Sequence, residues 1–186
     1  VIKDHILLNK PAKKARIREA LLTKYIFFNH PLFAAYQNNI IELADTHQYF
    51  LMPKDGEEKK VTLEGGDVMV VSKKHLLVGV SERTSMEAAQ QVINGMFEKN
   101  LMEKVTVVKI PRKRDYMHID TVFTQVKKNT WVMLGAFSKK NVRNQDSDTL
   151  QRILDGPKKD EKLSIIQFSS RNISQPVYMD NLEDLL

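Results

Sequence analysis

Residues 75–110 read HLLVGVSERTSMEAAQQVINGMFEKNLMEKVTVVKI and contain the clearest strand and helix signals of the chain. The first six of these residues are a run of β-formers, which predicts a strand. Thr84 followed by Glu87 predicts a capping box that opens a helix, and apolar residues recur at helical spacing until about Asn100. Residues 105–110 then alternate and are rich in β-branched side chains, which predicts a second strand. The stretch is therefore a strand–helix–strand unit.

The segments on either side of this unit predict further short strands. Turn residues separate runs of β-formers upstream, and residues 121–134 have the arrangement of a hairpin. This alternation of strands and helices indicates an α/β fold class. We expect strands at 3–8, 49–52, 60–63, 67–71, 121–126, 130–134 and 163–168, and helices at 147–154 and from Asp180.

A helical period also begins after Pro11. Ile17, Leu21, Tyr25 and Phe28 fall four, four and three residues apart, which predicts one buried apolar stripe. The other side of this helix carries basic residues that form either a solvated face or an anion site. They are Lys13, Lys14, Arg16 and Arg18.

Composition narrows the classes of protein. The chain has 186 residues, 42% of them hydrophobic, with 7 Gly, 6 Pro and a net charge of 29 − 23 = +6, so a compact basic protein is expected and an acidic binding protein is excluded. It contains no cysteine, which excludes disulfides, thiolate zinc sites and a thiol nucleophile from this polypeptide. The dinucleotide and P-loop glycine motifs do not occur. Nucleotide-binding cradles therefore lose their main sequence support.

Targeting signals are not recognisable. No run approaches the roughly 20 apolar residues of a membrane span, so we expect no membrane partner and a cytoplasmic location. The chain starts at Val1 and ends in an amphipathic pattern that lacks a C-cap. These ends predict a segment of a longer protein.

Two turns concentrate ionisable residues. In the first, Gly65 and Gly66 allow a sharp turn that holds Glu64 and Asp67 at the junction of two strands. The simplest interpretation is a hairpin with two solvated acids. A catalytic site is the alternative.

The second turn is MHIDT, residues 117–121. His118 and Asp120 are two residues apart at the expected start of a strand, so they should project to the same side. An imidazole beside a carboxylate can serve as a general acid near neutral pH. The other histidines lack a comparably placed acid and are expected to be structural; they are His5, His30, His47 and His75.

Taken together, several motifs resemble those of arginine deiminase, a member of the guanidino-group-modifying superfamily. The resemblance is clear over about residues 12–134, and four motifs in order are more specific than any one alone. They are ARIREALL at 15–22 with NHP at 29–31, LEGGDV at 63–68, VGVSERT at 78–84 and MHIDT at 117–121.

This resemblance implies a fold and a reaction. The fold would be a pentein-type α/β-propeller of ββαβ modules, of which residues 1–186 would be a partial catalytic domain formed by the middle modules. The reaction would be hydrolysis of L-arginine to citrulline and ammonia through a cysteine amidino-thiol intermediate, without a metal or an organic cofactor. The implied partner is the small molecule L-arginine, with no nucleic acid, and a homo-oligomer is allowed.

The resemblance also implies roles for six residues. Glu64 and His118 would be the catalytic acid and histidine, and Asp120 would grip the guanidinium as a carboxylate clamp. The amino-acid end of the substrate would be held by three further residues, Asp67, Arg16 and Arg83. The family's Phe-Thr-Arg-Asp motif and its nucleophilic cysteine do not occur here.

Three alternatives remain open from the sequence. The substrate could be that of a dimethylarginine hydrolase, an amidinotransferase or a peptidyl-arginine deiminase. The chain could also be a cysteine-less, non-catalytic relative. A basic nucleic-acid-binding module is the alternative from another class, because several basic pairs and triplets occur. They are Arg112-Lys113-Arg114, Lys127-Lys128, Lys139-Lys140 and Lys158-Lys159.

Overall fold

A computed structural model describes residues 1–44, 61–112, 114–138 and 163–185. The strand expected at 49–52, the helix expected at 147–154 and His47 lie outside these residues. The α-helices of the described part are α1 (Ile17–Asn29) and α2 (Met86–Glu98). Its strands are β1 (Ile6–Leu7), β2 (Ile40–Ile41), β3 (Val68–Ser72), β4 (His75–Val80), β5 (Lys104–Lys109), β6 (Phe123–Lys127), β7 (Thr130–Met133), β8 (Ser164–Ser169) and β9 (Asn172–Met179).

A five-stranded mixed sheet organises the described part of the chain. Its order is β3-β4-β5-β8-β9, with β4 and β5 parallel and the other neighbours antiparallel. The helix α2 connects β4 to β5, as a parallel pair requires. The segment from β3 to β5 is thus one ββαβ unit, and the predicted α/β fold class is confirmed.

Apolar side chains of β4 alternate between the two faces of this sheet. Leu76 and Val78 belong to the core cluster beneath α2, and Leu77 belongs to a second cluster on the opposite face. The helix α2 contributes its buried face to the first cluster, through Ala88, Ala89, Val92, Ile93, Met96 and Phe97. The second is closed by the chain after β5 and by the C-terminal turn, through Ile119, Val122, Phe123, Phe137, Leu182 and Leu185. Both faces of the inner strands β4 and β5 are therefore covered.

The start of α2 differs from the prediction by one residue. Ser85 is the N-cap, and its hydroxyl oxygen accepts a hydrogen bond from the Ala88 amide at 3.2 Å. The predicted capping box of Thr84 and Glu87 is wrong because the Thr84 hydroxyl binds another partner, described below. The helix stops before Asn100, whose φ of 52° is the left-handed conformation common after a helix end.

The helix α1 corrects a second expectation. Ile17 is 55% exposed, and Leu21 and Tyr25 are each 65% exposed, so the predicted stripe is not buried. Helical spacing shows which residues share a face, but it does not show whether another element covers that face. The helix α1 packs against the 3₁₀ segment Pro31–Asn39, where the rings of Phe27 and Phe33 meet edge to face at 4.7 Å.

The remaining elements follow the predictions more closely. The hairpin β6–β7 and the strand β8 are confirmed, whereas the strand expected at 3–8 is limited to β1. Val61 to Leu63 forms no strand, although Leu63 makes an isolated bridge to Lys10. The helix expected from Asp180 is a short 3₁₀ turn, Leu182–Leu185. Within the described residues, neither helix has the length and apolarity needed to cross a membrane.

Candidate active site

The candidate site lies at the edge of the central sheet that is formed by the carboxyl ends of the parallel strands β4 and β5. The antiparallel strand β3 begins at this same edge. Ligands of open α/β sheets commonly bind at the carboxyl ends of parallel strands. Three loops meet at this point: the 3₁₀ turn Gly65–Asp67, residues 81–84 after β4, and residues 117–121 after β5.

Glu64 is a buried carboxylate, not the solvated acid of a simple hairpin. Its residue exposure is 2%, and its Oε2 atom accepts a hydrogen bond from Arg16 Nη1 at 2.7 Å. The backbone amide of Ala12 donates to Oε1 at 3.3 Å, and Arg83 Nη1 lies 3.8 Å from the same oxygen. His118 Nε2 is 3.6 Å from Oε2. Cationic and polar groups therefore surround this acid and compensate for its burial.

His118 joins Glu64 to a second buried acid. Its Nδ1 atom is 3.1 Å from Oδ2 of Asp67, while its Nε2 atom faces Glu64. The residue is the N-cap of the 3₁₀ turn Ile119–Thr121, so it does not stand at a strand entry as the sequence suggested. The 3₁₀ turn places the imidazole over Gly65–Asp67, the glycine turn at the start of β3.

Asp120 lies on the same side of that glycine turn. A methyl group placed on Gly66 would be 2.8 Å from Oδ2 of Asp120 and 3.0 Å from Cβ of His118. Asp120 is exposed, unlike Glu64 and Asp67. Glycine is therefore required at position 66 for the close approach of these side chains.

Both predicted arginines reach the same acid. Arg16 binds Glu64 and also Glu19, where Nε and Oε2 are 3.0 Å apart. The hydrogen bond to Glu19, followed by the attraction of Glu64, raises the pKa of Arg16 above its ordinary value. Arg83 is more buried, with 17% of its side chain exposed. All six predicted residues thus come together at one edge of the sheet.

Two further polar residues of this edge were not predicted. Ser81 and Thr84 each donate a hydroxyl hydrogen bond to Oδ2 of Asp67, both at 2.7 Å. Thr84 also accepts the backbone amide of Glu64 at 3.1 Å. The sequence does carry a signal for these two site residues, because small hydroxyl residues follow the buried strand β4. From the sequence Thr84 is instead interpreted as a helix cap, so its role at the site is missed.

The other described histidines have structural surroundings. His75 is buried and its Nε2 atom lies 2.8 Å from the Thr106 hydroxyl. Burial, and then the charge of Lys104, lowers the pKa of His75 to about 4. His5 does have an acidic partner, contrary to expectation, since its Nδ1 atom is 2.8 Å from the neighbouring Asp4 carboxylate. Within the described ranges, His, Asp and Glu side chains form no group of three or more that could hold a metal ion.

Comparisons with known proteins give the relationship of the chain. A family model described as arginine deiminase matches residues 1–173. The arginine deiminase of Bacillus cereus (strain B4264) is 30% identical over 168 residues, which cover 90% of this chain and 34% of that protein. The arginine deiminase of Borrelia recurrentis (strain A1) is 35% identical over 127 residues, which cover 68% of this chain and 28% of that protein.

Solved structures add evidence on the fold alone. A dimethylarginine dimethylaminohydrolase from Pseudomonas aeruginosa, complexed with citrulline, has a TM-score of 0.56 at 19% identity and covers 77% of this chain and 47% of its own. A dimethylarginine dimethylaminohydrolase adduct with 4-chloro-2-hydroxymethylpyridine has a TM-score of 0.55 at 20% identity and covers 77% and 48%.

The chain spans only about a third of the length of these curated relatives. The family model nevertheless matches most of the chain, and its matched range includes Glu64, Asp67, His118 and Asp120. The chain therefore belongs to the arginine deiminase family.

Proposed function

We propose that this chain contributes the acid and histidine side of an arginine deiminase active site. The reaction is hydrolysis of the guanidinium group of L-arginine to give citrulline and ammonia. The observation that carries the proposal is the buried Glu64 carboxylate 3.6 Å from His118 Nε2, with Asp120 on the same side of Gly66. An acid, a proton shuttle and a second carboxylate within reach of one small group are what this chemistry needs.

The carboxylates suit a guanidinium ligand. A guanidinium is a planar cation with paired N–H donors, and carboxylates bind it through two parallel hydrogen bonds. In the proposal, Asp120 grips the substrate from its exposed position, and Glu64 approaches from the buried side. Arg16 already shows that a guanidinium fits against Glu64, since its Nη1 atom is 2.7 Å from Oε2.

The nucleophile must come from outside these 186 residues, because the chain contains no cysteine. In the proposed sequence a thiolate attacks the guanidinium carbon, the carbon–nitrogen bond breaks, and His118 delivers a proton to the departing ammonia. His118 then takes a proton from water, which attacks the amidino-thiol intermediate. The carbon–sulfur bond breaks, the thiolate is restored, the remaining hydroxyl proton passes to solvent and citrulline leaves.

Arg83 is the better candidate for the substrate carboxylate. Its Nε atom is buried and has no hydrogen-bond acceptor among the described residues. Oε1 of Glu82 is 3.8 Å away, which is an ion-pair distance but too long for a hydrogen bond. A buried donor without an acceptor is costly, and an α-carboxylate would satisfy it. Arg16 is more exposed and would assist from the rim.

The propeller belongs to the same proposal. One ββαβ unit, β3 to β5, is described, and we propose that residues 1–186 supply the middle modules of a pentein-type propeller. The domain so formed would be a partial catalytic domain. The other guanidino substrates stay as outcomes of the substrate assay below, and salt-dependent retention on DNA or RNA without arginine turnover would favour the nucleic-acid alternative.

A chimaeric enzyme tests the proposal. This chain replaces the matching segment of the Bacillus cereus arginine deiminase, which supplies the remaining residues. Formation of citrulline, free or peptide-bound, is measured with L-arginine, dimethylarginine and peptidyl arginine. We expect L-arginine to be the preferred substrate and Glu64→Gln to remove activity. Glu98→Gln, the same change at the exposed end of α2, is the control and should retain it. A folded chimaera that releases no citrulline contradicts the proposal.

A further inference from the structure

Asp67 is the most completely enclosed charged residue of the site. It is 0% exposed, and four donors surround its carboxylate. The backbone amide of Ile119 donates to Oδ1 at 2.9 Å. The hydroxyls of Ser81 and Thr84 reach Oδ2 at 2.7 Å each, and Nδ1 of His118 is 3.1 Å from the same atom.

The directions of these hydrogen bonds are fixed by the neighbours of the two hydroxyls. Ser81 Oγ already accepts the backbone amides of Arg83 and Thr84, and Thr84 Oγ1 accepts the amide of Glu64. Ser81 Oγ therefore has only its own hydrogen left, and since a carboxylate only accepts, both hydroxyls donate their hydrogens to Asp67. Three of the four donors therefore share Oδ2 and one reaches Oδ1, and the whole carboxylate is enclosed, since Asp67 is 0% exposed.

This arrangement leaves no room for a substrate ammonium at Asp67. The role at the amino-acid end of the substrate, suggested by the sequence resemblance, requires a carboxylate that the substrate can reach. Asp67 is 0% exposed and is covered by the residues that bind it. Its close surroundings add a steric limit, since a methyl group on Gly79 would lie 2.6 Å from Oδ1.

We propose instead that Asp67 is a positioning residue, which holds His118 in the tautomer that carries its hydrogen on Nδ1. A carboxylate can only accept, so Nδ1 must donate to it. In the neutral ring Nε2 is then the unprotonated nitrogen, and in the protonated ring it carries the proton that His118 delivers to ammonia; it faces Glu64 at 3.6 Å. The inference deepens the proposed function, because Nε2 is the atom through which His118 would exchange protons with substrate and water.

The same network ties the two sides of the site together. Thr84 bridges the Glu64 backbone and the Asp67 carboxylate, and Asp67 in turn holds both the ring and the following amide of the His118 turn. The imidazole is therefore fixed in direction as well as in tautomer. A base must be held in a productive direction before its proton affinity is useful.

The tautomer can be measured directly on this chain. Long-range ¹⁵N–¹H spectra of the histidine rings distinguish a hydrogen on Nδ1 from one on Nε2, and His118→Gln identifies the signals of His118. Spectra are recorded at about pH 8.5, and the ring ¹⁵N shifts themselves distinguish a ring with one hydrogen from a ring with two. The parent is compared with Asp67→Ala and with Asp115→Ala, a change at an exposed acid three residues before His118. The His75 ring is an internal reference.

In the parent and in Asp115→Ala we expect His118 to have its hydrogen on Nδ1 alone. In Asp67→Ala the ring should change to a mixture or to the Nε2–H form, while the His75 signals stay in place. An Nε2–H ring in the parent, or a folded Asp67→Ala protein with an unchanged His118 ring, would overturn the inference. The parent spectrum is decisive even if the variant does not fold. The spectra measure no turnover, so they can contradict the role of Asp67 while the proposed function stands. Equally, loss of the proposed function in the chimaera would leave the tautomer result unchanged.

Discussion

At the scale of single residues, two glycines beside the site have opposite surroundings. A methyl group on Gly79 would be 2.6 Å from Asp67 Oδ1 and 2.8 Å from Ile119 Cβ, whereas one on Gly65 would meet no atom within 4 Å. Gly79→Ala should therefore force the buried turn apart and lower the free energy of unfolding by about 1–3 kcal/mol.

Gly65→Ala is the matched control for this prediction. It should be neutral or slightly stabilising, because it restricts the unfolded chain without a clash. Denaturant unfolding of both variants measures the two changes. Equal stability of the two proteins would show that the packing around Asp67 is looser than described.

His75 makes stability depend on pH. Its pKa in the folded protein is lowered from 6.5 to about 4, so the unfolded chain binds the proton more readily. The contribution of neutral His75 is present above pH 6.5 and is lost as the pH falls toward 4. The loss should be on the order of 3 kcal/mol.

His75→Gln is the variant that isolates this contribution, since it leaves the carboxylates of the protein unchanged. The difference in unfolding free energy between parent and variant should narrow between pH 7 and pH 4. A difference that stays constant over this range would mean that His75 is not held neutral by its buried position.

The sequence allowed part of the site to be predicted at this scale. Glu64, His118 and Asp120 do lie together, because motif resemblance reports which residues share a site. It could not report the burial of Asp67 or the bond between Thr84 and that acid. Those depend on loops from three strands meeting at one edge, which is a tertiary effect.

At the scale of elements, the two helices differ in how their apolar faces are used. Leu21 of α1 is 65% exposed, and Met96 of α2 is 0% exposed. Met96→Ala should lower the free energy of unfolding by about 2–5 kcal/mol through the cavity that it leaves. Leu21→Ala should change it by less than about 0.5 kcal/mol.

Thermal or denaturant unfolding of these two variants compares the helices directly. A large loss in Leu21→Ala would mean that the α1 face is covered in solution, for example by a second copy of the chain, and the effect would then depend on protein concentration.

The elements that the sequence predicted well are those whose partners are near in sequence. The ββαβ unit and the hairpin β6–β7 combine local periodicity with short connections, so the pattern and the structure agree. The exposure of α1 and the 3₁₀ turn at His118 could not be predicted in this way. An amphipathic period does not show which element, if any, covers the apolar face of a helix. Two polar residues at alternate positions fit a 3₁₀ turn as well as a strand.

At the scale of the whole molecule, the central sheet explains why distant motifs form one site. The strands β3, β4 and β5 start or end at the same edge, so the glycine turn, the SERT loop at 81–84 and the histidine turn meet there. The thiol nucleophile of the proposed reaction is not on this chain, which has no cysteine. We therefore predict a shared active site, with these residues on one side and a thiol on the other.

We expect His118 to be the proton shuttle of this site. The kcat of the chimaeric enzyme with L-arginine measures this role. His118→Gln should lower kcat by roughly 10²–10⁴-fold, because general acid–base catalysis contributes about that much. His30→Gln, the same change at an exposed histidine, should leave kcat within a few-fold of the parent. A folded His118→Gln chimaera that releases citrulline as fast as the His30→Gln protein would contradict the account.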